Sequence, residues 1–216
     1  GTDKFYLECY DLVANKVLHS KQAHDSWIRN CRHFLNKREK TDWILSYSED
    51  NSVKVWNYNN NLSLSLTIKD LYKDSYYNLS ACLLFNELTN KEYVITSNCN
   101  SNCPIKVFNF TGNKIKDEFG NGYTCFVDSW FNVKEKKYYI INCNGYNVTV
   151  YLESDFSLFK KYEGTPTSRH ISACINKIND KVVLIESDWK GYLRQWDFSN
   201  GNIISTINTG VWLIGI

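Results

Sequence analysis

Four histidines, eight cysteines and a scatter of carboxylates are the residues of this sequence that could do chemistry. Metal ligation by the cysteines would need a clustered donor set. Cys99 and Cys103 are the nearest thiols, but three residues separate them and no second Cys or His pair stands at ligand spacing, so no zinc site is expected. Most of the cysteines read instead as small apolar side chains on strands. Their default setting is a reducing, intracellular one, cytoplasmic or nuclear. His19 and His33 fall within strand-like runs and lack an obvious Cys or carboxylate partner, while His24 and His170 each stand before or at the start of one. Nucleophilic or phosphate chemistry has no carrier either: Gly-x-Ser-x-Gly, a phosphate-binding loop and His-Glu-x-x-His are absent from the sequence. Most Asp and Glu residues belong to turns. Asp128 lies on a strand, and one carboxylate does not make an acid–base pair. No cofactor is expected.

The elements that carry these residues are short strands. Leu45-Ser46-Tyr47-Ser48 alternates apolar with polar, Glu49-Asp50-Asn51-Ser52 is turn chemistry, and Val53-Lys54-Val55-Trp56 alternates again. Similar strands end on Tyr10, Trp56, Phe108, Tyr151 and Trp196, at intervals of 46, 52, 43 and 45 residues by subtraction. Repeat units of about 40–50 residues have this spacing. The longest interval contains the polar stretch Asn98-Cys99-Asn100-Ser101-Asn102-Cys103-Pro104, which reads as an insertion. Cys31, Cys82, Cys125 and Cys174 form a second column, 25, 26, 26 and 22 residues before the aromatic. Small residues there suit a crowded inner strand.

The block ending at Trp56-Asn57 resembles the signature of a WD40 repeat, and the likeness extends along the chain. The resemblance implies an all-β fold, a β-propeller of WD40 type with four complete four-stranded blades and partial blades at both ends. The blades fall at about 27–67, 76–119, 123–162 and 170–207, with partial blades at 1–20 and 210–216. The resemblance also implies a buried polar network in the first blade, formed by His24, Ser46 or Ser48, Asp50 and Trp56. In the fourth blade His170, Ser187 and Trp196 correspond, but Lys190 stands at the Asp position and Asp188 comes two residues early. The second and third blades carry Phe108 and Tyr151 in place of Trp, with Asn102 and Gly145 at the Asp position. The terminal half-blades cannot complete each other, so an open arc of a longer ring is expected. With no methionine in the sequence, a fragment of a longer protein is expected too. Unpaired strand edges on such an arc would invite self-association.

The function implied is a non-catalytic scaffold that binds protein or peptide partners through blade-connecting loops and one end of the ring. Aromatic and Arg residues placed there are the natural anchors: Trp27, Arg29, Glu49, Tyr76, Tyr77, Tyr123, Tyr146, Arg169 and Trp189. A propeller hydrolase with carboxylates at the axial opening is the alternative. Ser48-Glu49-Asp50 begins the repeated box of sialidase-type propellers, but Ser52, Lys54 and Val55 break it. Nucleic acid and membrane are not expected partners. Net charge is only +2, with signs interspersed, and the densest basic group is Arg29, Arg32, Lys37, Arg38 and Lys40. There is no run of 18 apolar residues and no export signal. The 26 asparagines suit turns, where Asn tolerates tight backbone angles.

Overall fold

The computed structural model describes residues 5–72, 79–98, 105–120, 124–164 and 168–211. Among them every regular element is a β-strand, eighteen in all. β1 (Tyr6–Asp11) and β2 (Lys16–Gln22) form a two-stranded ribbon. Four four-stranded sheets follow in chain order. The first holds β3 (Ile28–Asn36), β4 (Thr41–Ser48), β5 (Ser52–Asn57) and β6 (Ser63–Ile68). The second holds β7 (Leu79–Asn86), β8 (Lys91–Asn98), β9 (Ile105–Asn109) and β10 (Lys114–Phe119). The third holds β11 (Thr124–Asn132), β12 (Lys137–Asn144), β13 (Asn147–Leu152) and β14 (Leu158–Glu163). The fourth holds β15 (His170–Ile178), β16 (Lys181–Asp188), β17 (Tyr192–Asp197) and β18 (Ile203–Asn208). The chain divides into two compact units, Gly1–Thr96 with Val107–Lys116, and Ser97–Lys106 with Asp117–Ile216.

Local chemistry accounts for each sheet. β4 and β5 alternate so that Leu45, Val53 and Val55 are fully buried. The hairpins are closed by Asx side chains that accept main-chain N–H groups. Asn36, Asn86 and Asn132, each the last residue of a first strand, cap the turns that follow at Glu39, Leu88 and Lys134. The residue after the strand-ending aromatic does the same work: Asp11, Asn57, Asn109 and Asp197 cap turns at Val13, Asn60, Thr111 and Ser199. Asn also fills left-handed positions, with φ of 60° at Asn51 and 59° at Asn90, where most side chains would be strained. The asparagine excess therefore has a mechanical use in the turns.

Two expectations are corrected. The β-propeller of WD40 type, with its four blades and partial blades, is replaced by five separate antiparallel sheets. Each strand pairs only with strands of its own sheet, and no closed barrel forms among the described residues. The reason is one of range. Alternation decides which face of a strand is buried, and the Asx turns decide which strands pair. Both act within one repeat, so they specify sheets and leave the closure of a ring undetermined. The partial blade expected at 210–216 lies almost wholly outside the described residues, as does the insertion before Ile105. The cysteine column is also out of register. Cys31 opposes Ser46, whereas Cys174 opposes Ile185, which is one residue out of step with it and on the other face. Cys82 is buried, Cys31 is exposed and Cys174 is intermediate.

Each unit has its own core. In the first, Leu7, Ala23, Trp56 and Leu62 pack together, with Ile28, Ile44 and Tyr58 against them. In the second, Tyr139, Ile141, Cys143, Val148, Val150 and Tyr162 meet Ala173, Leu184, Trp196 and Phe198. Among the described residues no helix is long and apolar enough to cross a membrane.

Candidate functional site

The first four-stranded sheet gathers a connected set of polar side chains around His24, just upstream of β3. The His24 Nε2 lies 2.8 Å from Ser46 Oγ, and Trp56 Nε1 donates to the same oxygen at 2.9 Å. On its other side the His24 Nδ1 lies 2.9 Å from Asp50 Oδ2 and 3.1 Å from Ser52 Oγ. One proton assignment satisfies all of them: the indole donates to Ser46, Ser46 donates to Nε2, and Nδ1–H donates to the carboxylate. Asp50 also accepts from Ser52 Oγ at 2.6 Å and from the Asp25 N–H at 3.0 Å. Partial burial pushes the Asp50 carboxyl up, but hydrogen bonds from His24, Ser52 and Asp25 outweigh it and hold the group well below the usual carboxylate range. Ser48 stands outside this set. Its hydroxyl donates to the Ser26 carbonyl and accepts the Asp50 N–H, which ties the β4–β5 turn to the entry of β3.

Ser46, His24 and Asp50 are linked as a nucleophile, base and orienting carboxylate would be. Access decides against that use. Ser46 and His24 are buried, and the Ser46 oxygen already accepts the indole proton.

The fourth sheet holds a different cluster at comparable positions. Glu186 stands where Ser46 stands, since Glu186 opposes Arg194 as Ser46 opposes Lys54. Its carboxylate receives Arg194 Nη1 at 2.7 Å and lies 2.7 Å from His170 Nδ1. Arg194 Nη2 donates to Asp188 at 2.9 Å. Asp188 also accepts the N–H groups of Lys190 and Tyr192, so it does the turn work that its displaced position seemed to deny it. All four side chains are buried. Burial works against the Arg194 cation, but Glu186 and Asp188 outweigh it and raise its pKa further. Ser187 and Trp196, which the sequence places in a second polar network, are not brought into one. Among the described residues Ser187 Oγ and Trp196 Nε1 have no partner, and neither does His170 Nε2. The β16–β17 pairing sets the phase: Glu186 lies ten residues before Trp196, as Ser46 lies ten before Trp56 (both by subtraction), so Glu186 and not Ser187 stands at the network position. Sequence reasoning missed Glu186 and Arg194. The available signal was a Glu and an Arg at inward positions of two otherwise apolar strands joined by a short hairpin.

The anchors expected at a partner surface fall into two groups. In the first unit Trp27, Arg29 and Glu49 meet. Arg29 is the extra residue of a β-bulge between Ile28 and Asn30, which turns its side chain out of the ladder. Its guanidinium lies 5.8 Å from the Trp27 ring centre and pairs with Glu49, while the Glu49 N–H bonds the Trp27 carbonyl at 3.0 Å. Trp27 itself is 61% exposed. In the second unit the Arg169 guanidinium lies 5.1 Å from the Trp189 ring centre, and the Trp189 N–H bonds the Arg169 carbonyl. Tyr146 is close by in the backbone, because the Gly145 carbonyl accepts the His170 N–H at 2.9 Å. Trp189 is 46% exposed and Tyr146 is also exposed. Tyr76, Tyr77 and Tyr123 lie outside the described residues.

The basic residues near the first sheet are largely answered. Arg29 pairs with Glu49, Arg38 with Glu39 and Glu92, and Arg32 stacks 5.0 Å from the Phe34 ring. No group of three His, Cys, Asp or Glu among the described residues could hold a metal ion.

These observations define a class: an all-β chain of repeated four-stranded antiparallel sheets with polar clusters buried inside them. Comparison with known proteins agrees at that level. The chain superposes over its whole length on the crystal structure of a computationally designed protein, Ika8, with a TM-score of 0.71 and 14% sequence identity. It spans 60% of that protein's length, and the likeness is one of fold alone. No protein-family profile matches the sequence. No curated protein matches it either.

Proposed function

We propose that this chain is a non-catalytic scaffold, built of WD40-like repeat units, that binds protein or peptide partners. The observation that carries the reading is the exposure of Trp27 and Trp189, each held against an arginine at the end of its sheet where the first strand begins and the second ends. Trp, Tyr and Arg dominate binding energy at interfaces. Arginine stacking fixes each indole before a partner arrives, which lowers the ordering cost of binding. The hydrolase alternative is disfavoured by the carboxylates. The pair that shares a partner, Glu186 and Asp188, is buried and held by Arg194, so it offers no surface to a substrate.

The test is a displayed library of random peptides panned against the folded chain. Binders should emerge whose affinity falls at least tenfold on Trp27→Ala or Trp189→Ala, each variant keeping the parent's melting temperature. Binders indifferent to both changes would overturn the assignment of the surface. Steady turnover of generic glycoside or ester substrates would overturn the scaffold itself.

A further inference from the structure

Within each unit one pair of positions closes a sheet against the sheet before it. In the second unit Trp196 and Phe198, at and just beyond the end of β17, cover the face formed by Ile141, Val148 and Tyr162. Tyr162 stands edge-on to Trp196 with ring centres 5.9 Å apart, and its hydroxyl donates to the Phe198 carbonyl at 2.7 Å. In the first unit Trp56 and Tyr58, at the same points of β5, lie on Leu7 and Cys9 of the ribbon. Tyr58 is edge-on to His19 at 5.8 Å.

Two surfaces depart from this rule in opposite senses. On β15–β18 the ladder makes Ile185, Leu193 and Ile207 the equivalents of Ile141, Val148 and Tyr162. Tyr162 is 0% exposed, whereas Ile207 is 57% exposed; among the described residues this face lacks the cover its counterpart has. The ribbon shows the converse. Tyr10 and Leu12 occupy the positions of Trp196 and Phe198, following the same register shift near the end of the third strand. They are 54% and 88% exposed, so among the described residues this cap covers no face as Trp196 and Phe198 do.

We infer that Tyr10 and Leu12 of one copy pack on the Ile185–Leu193–Ile207 face of a second copy, head to tail. This goes beyond the scaffold reading and uses a surface separate from its indoles. The occupant follows from the chain's own packing: the bare face matches a cap that this same chain carries, and neither surface matches itself. Such an interface is heterologous. The central positions of the bare face, Ile185, Leu193, Gln195, Ser205 and Ile207, hold no charge, so covering them strands no ion. The rival arrangement pairs two β18 edges across a twofold axis, because β18 is an uncharged edge strand exposed along its length.

Sedimentation analysis separates the two. The parent chain should grow in mass between about 1 and about 200 μM. Tyr10→Asp with Leu12→Asp should be monomeric, and so should Ile207→Asp. Mixed in equal amounts, the two variants should form a one-to-one dimer and nothing larger, since each retains the surface the other has lost. All three positions are exposed, so the folds should survive. If an aspartate does unfold its variant, Leu12→Ala and Ile207→Ser should each weaken association about tenfold. A parent that stays monomeric, a ribbon variant that associates like the parent, or a mixture that remains monomeric overturns the inference. The second of these outcomes would assign the contact to the β18 edge.

Discussion

The first and fourth four-stranded sheets each bury polar side chains around the same central position and satisfy them by different chemistry. In β3–β6 a serine at the central position links a histidine and an indole, and the histidine in turn meets a carboxylate, through hydrogen bonds. In β15–β18 a glutamate at that position, with Arg194 opposite in place of Lys54, turns the site into a buried ionic group. The indole equivalent to Trp56 then has no acceptor among the described residues. A repeat thus conserves the geometry that needs a polar contact more strictly than the groups that supply it. The two solutions should also fail differently. Loss of a neutral partner leaves an unpaired dipole, while loss of a charged one leaves an unpaired charge.

The largest effect is expected at the ionic site. Arg194→Ala leaves Glu186 and Asp188 buried without their cation and should cost about 3–5 kcal/mol by urea unfolding. Arg194→Met combined with Glu186→Leu should cost less than Arg194→Met alone, because one of the stranded charges is gone. If the double variant proves worse, the cluster is held by packing and the contrast with the first sheet disappears. In the His24 cluster Asp50→Ala should cost roughly 1–3 kcal/mol, the penalty for leaving His24 and Ser52 without their acceptor.

Acid sharpens the comparison further. Asp50 has its carboxyl held below the ordinary range, so the native state binds the proton less readily than the unfolded chain does. Its contribution is full above the ordinary carboxylate pKa of 3.8 and is lost as pH falls from there through the lower, folded value. The stability gap between the parent and Asp50→Asn should therefore narrow below about pH 4. A gap that is constant from pH 7 to pH 3 would show that the carboxylate is not held by these bonds. The smallest effect distinguishes the indoles. Trp56→Phe loses a hydrogen bond to Ser46 and Trp196→Phe loses none, so the first should cost about 1 kcal/mol more than the second. Equal costs would mean that the Ser46 contact contributes nothing.

What could be read from the sequence follows the range of the forces involved. Alternation across Leu45–Ser48 and Val53–Trp56, with turn chemistry at Asp50–Asn51, defines β4 and β5 because strand burial and Asx turns are local. The approach of His24 to Asp50 was legible only through the resemblance to a known repeat, because His24 lies well upstream of that hairpin. The Glu186–Arg194 pair was not. Placing Ser187 at the network position sets β16 one residue out of step with β17, and one residue is the difference between the two faces of a strand. The expected ring is what failed, because no local pattern in Trp56 or Trp196 specifies how the sheets are arranged beyond their own neighbours.

Pairing of strands only with their neighbours in the chain has a kinetic consequence. The loops to be closed are short, so the entropy lost before the first contacts form is small, and each sheet can nucleate without waiting for distant segments. During synthesis a sheet such as β3–β6 can assemble once its own forty or so residues are free, and the next can use it as a template. Errors should then be confined: a strand that mispairs delays one sheet, and amide protons in the others exchange at their own rates.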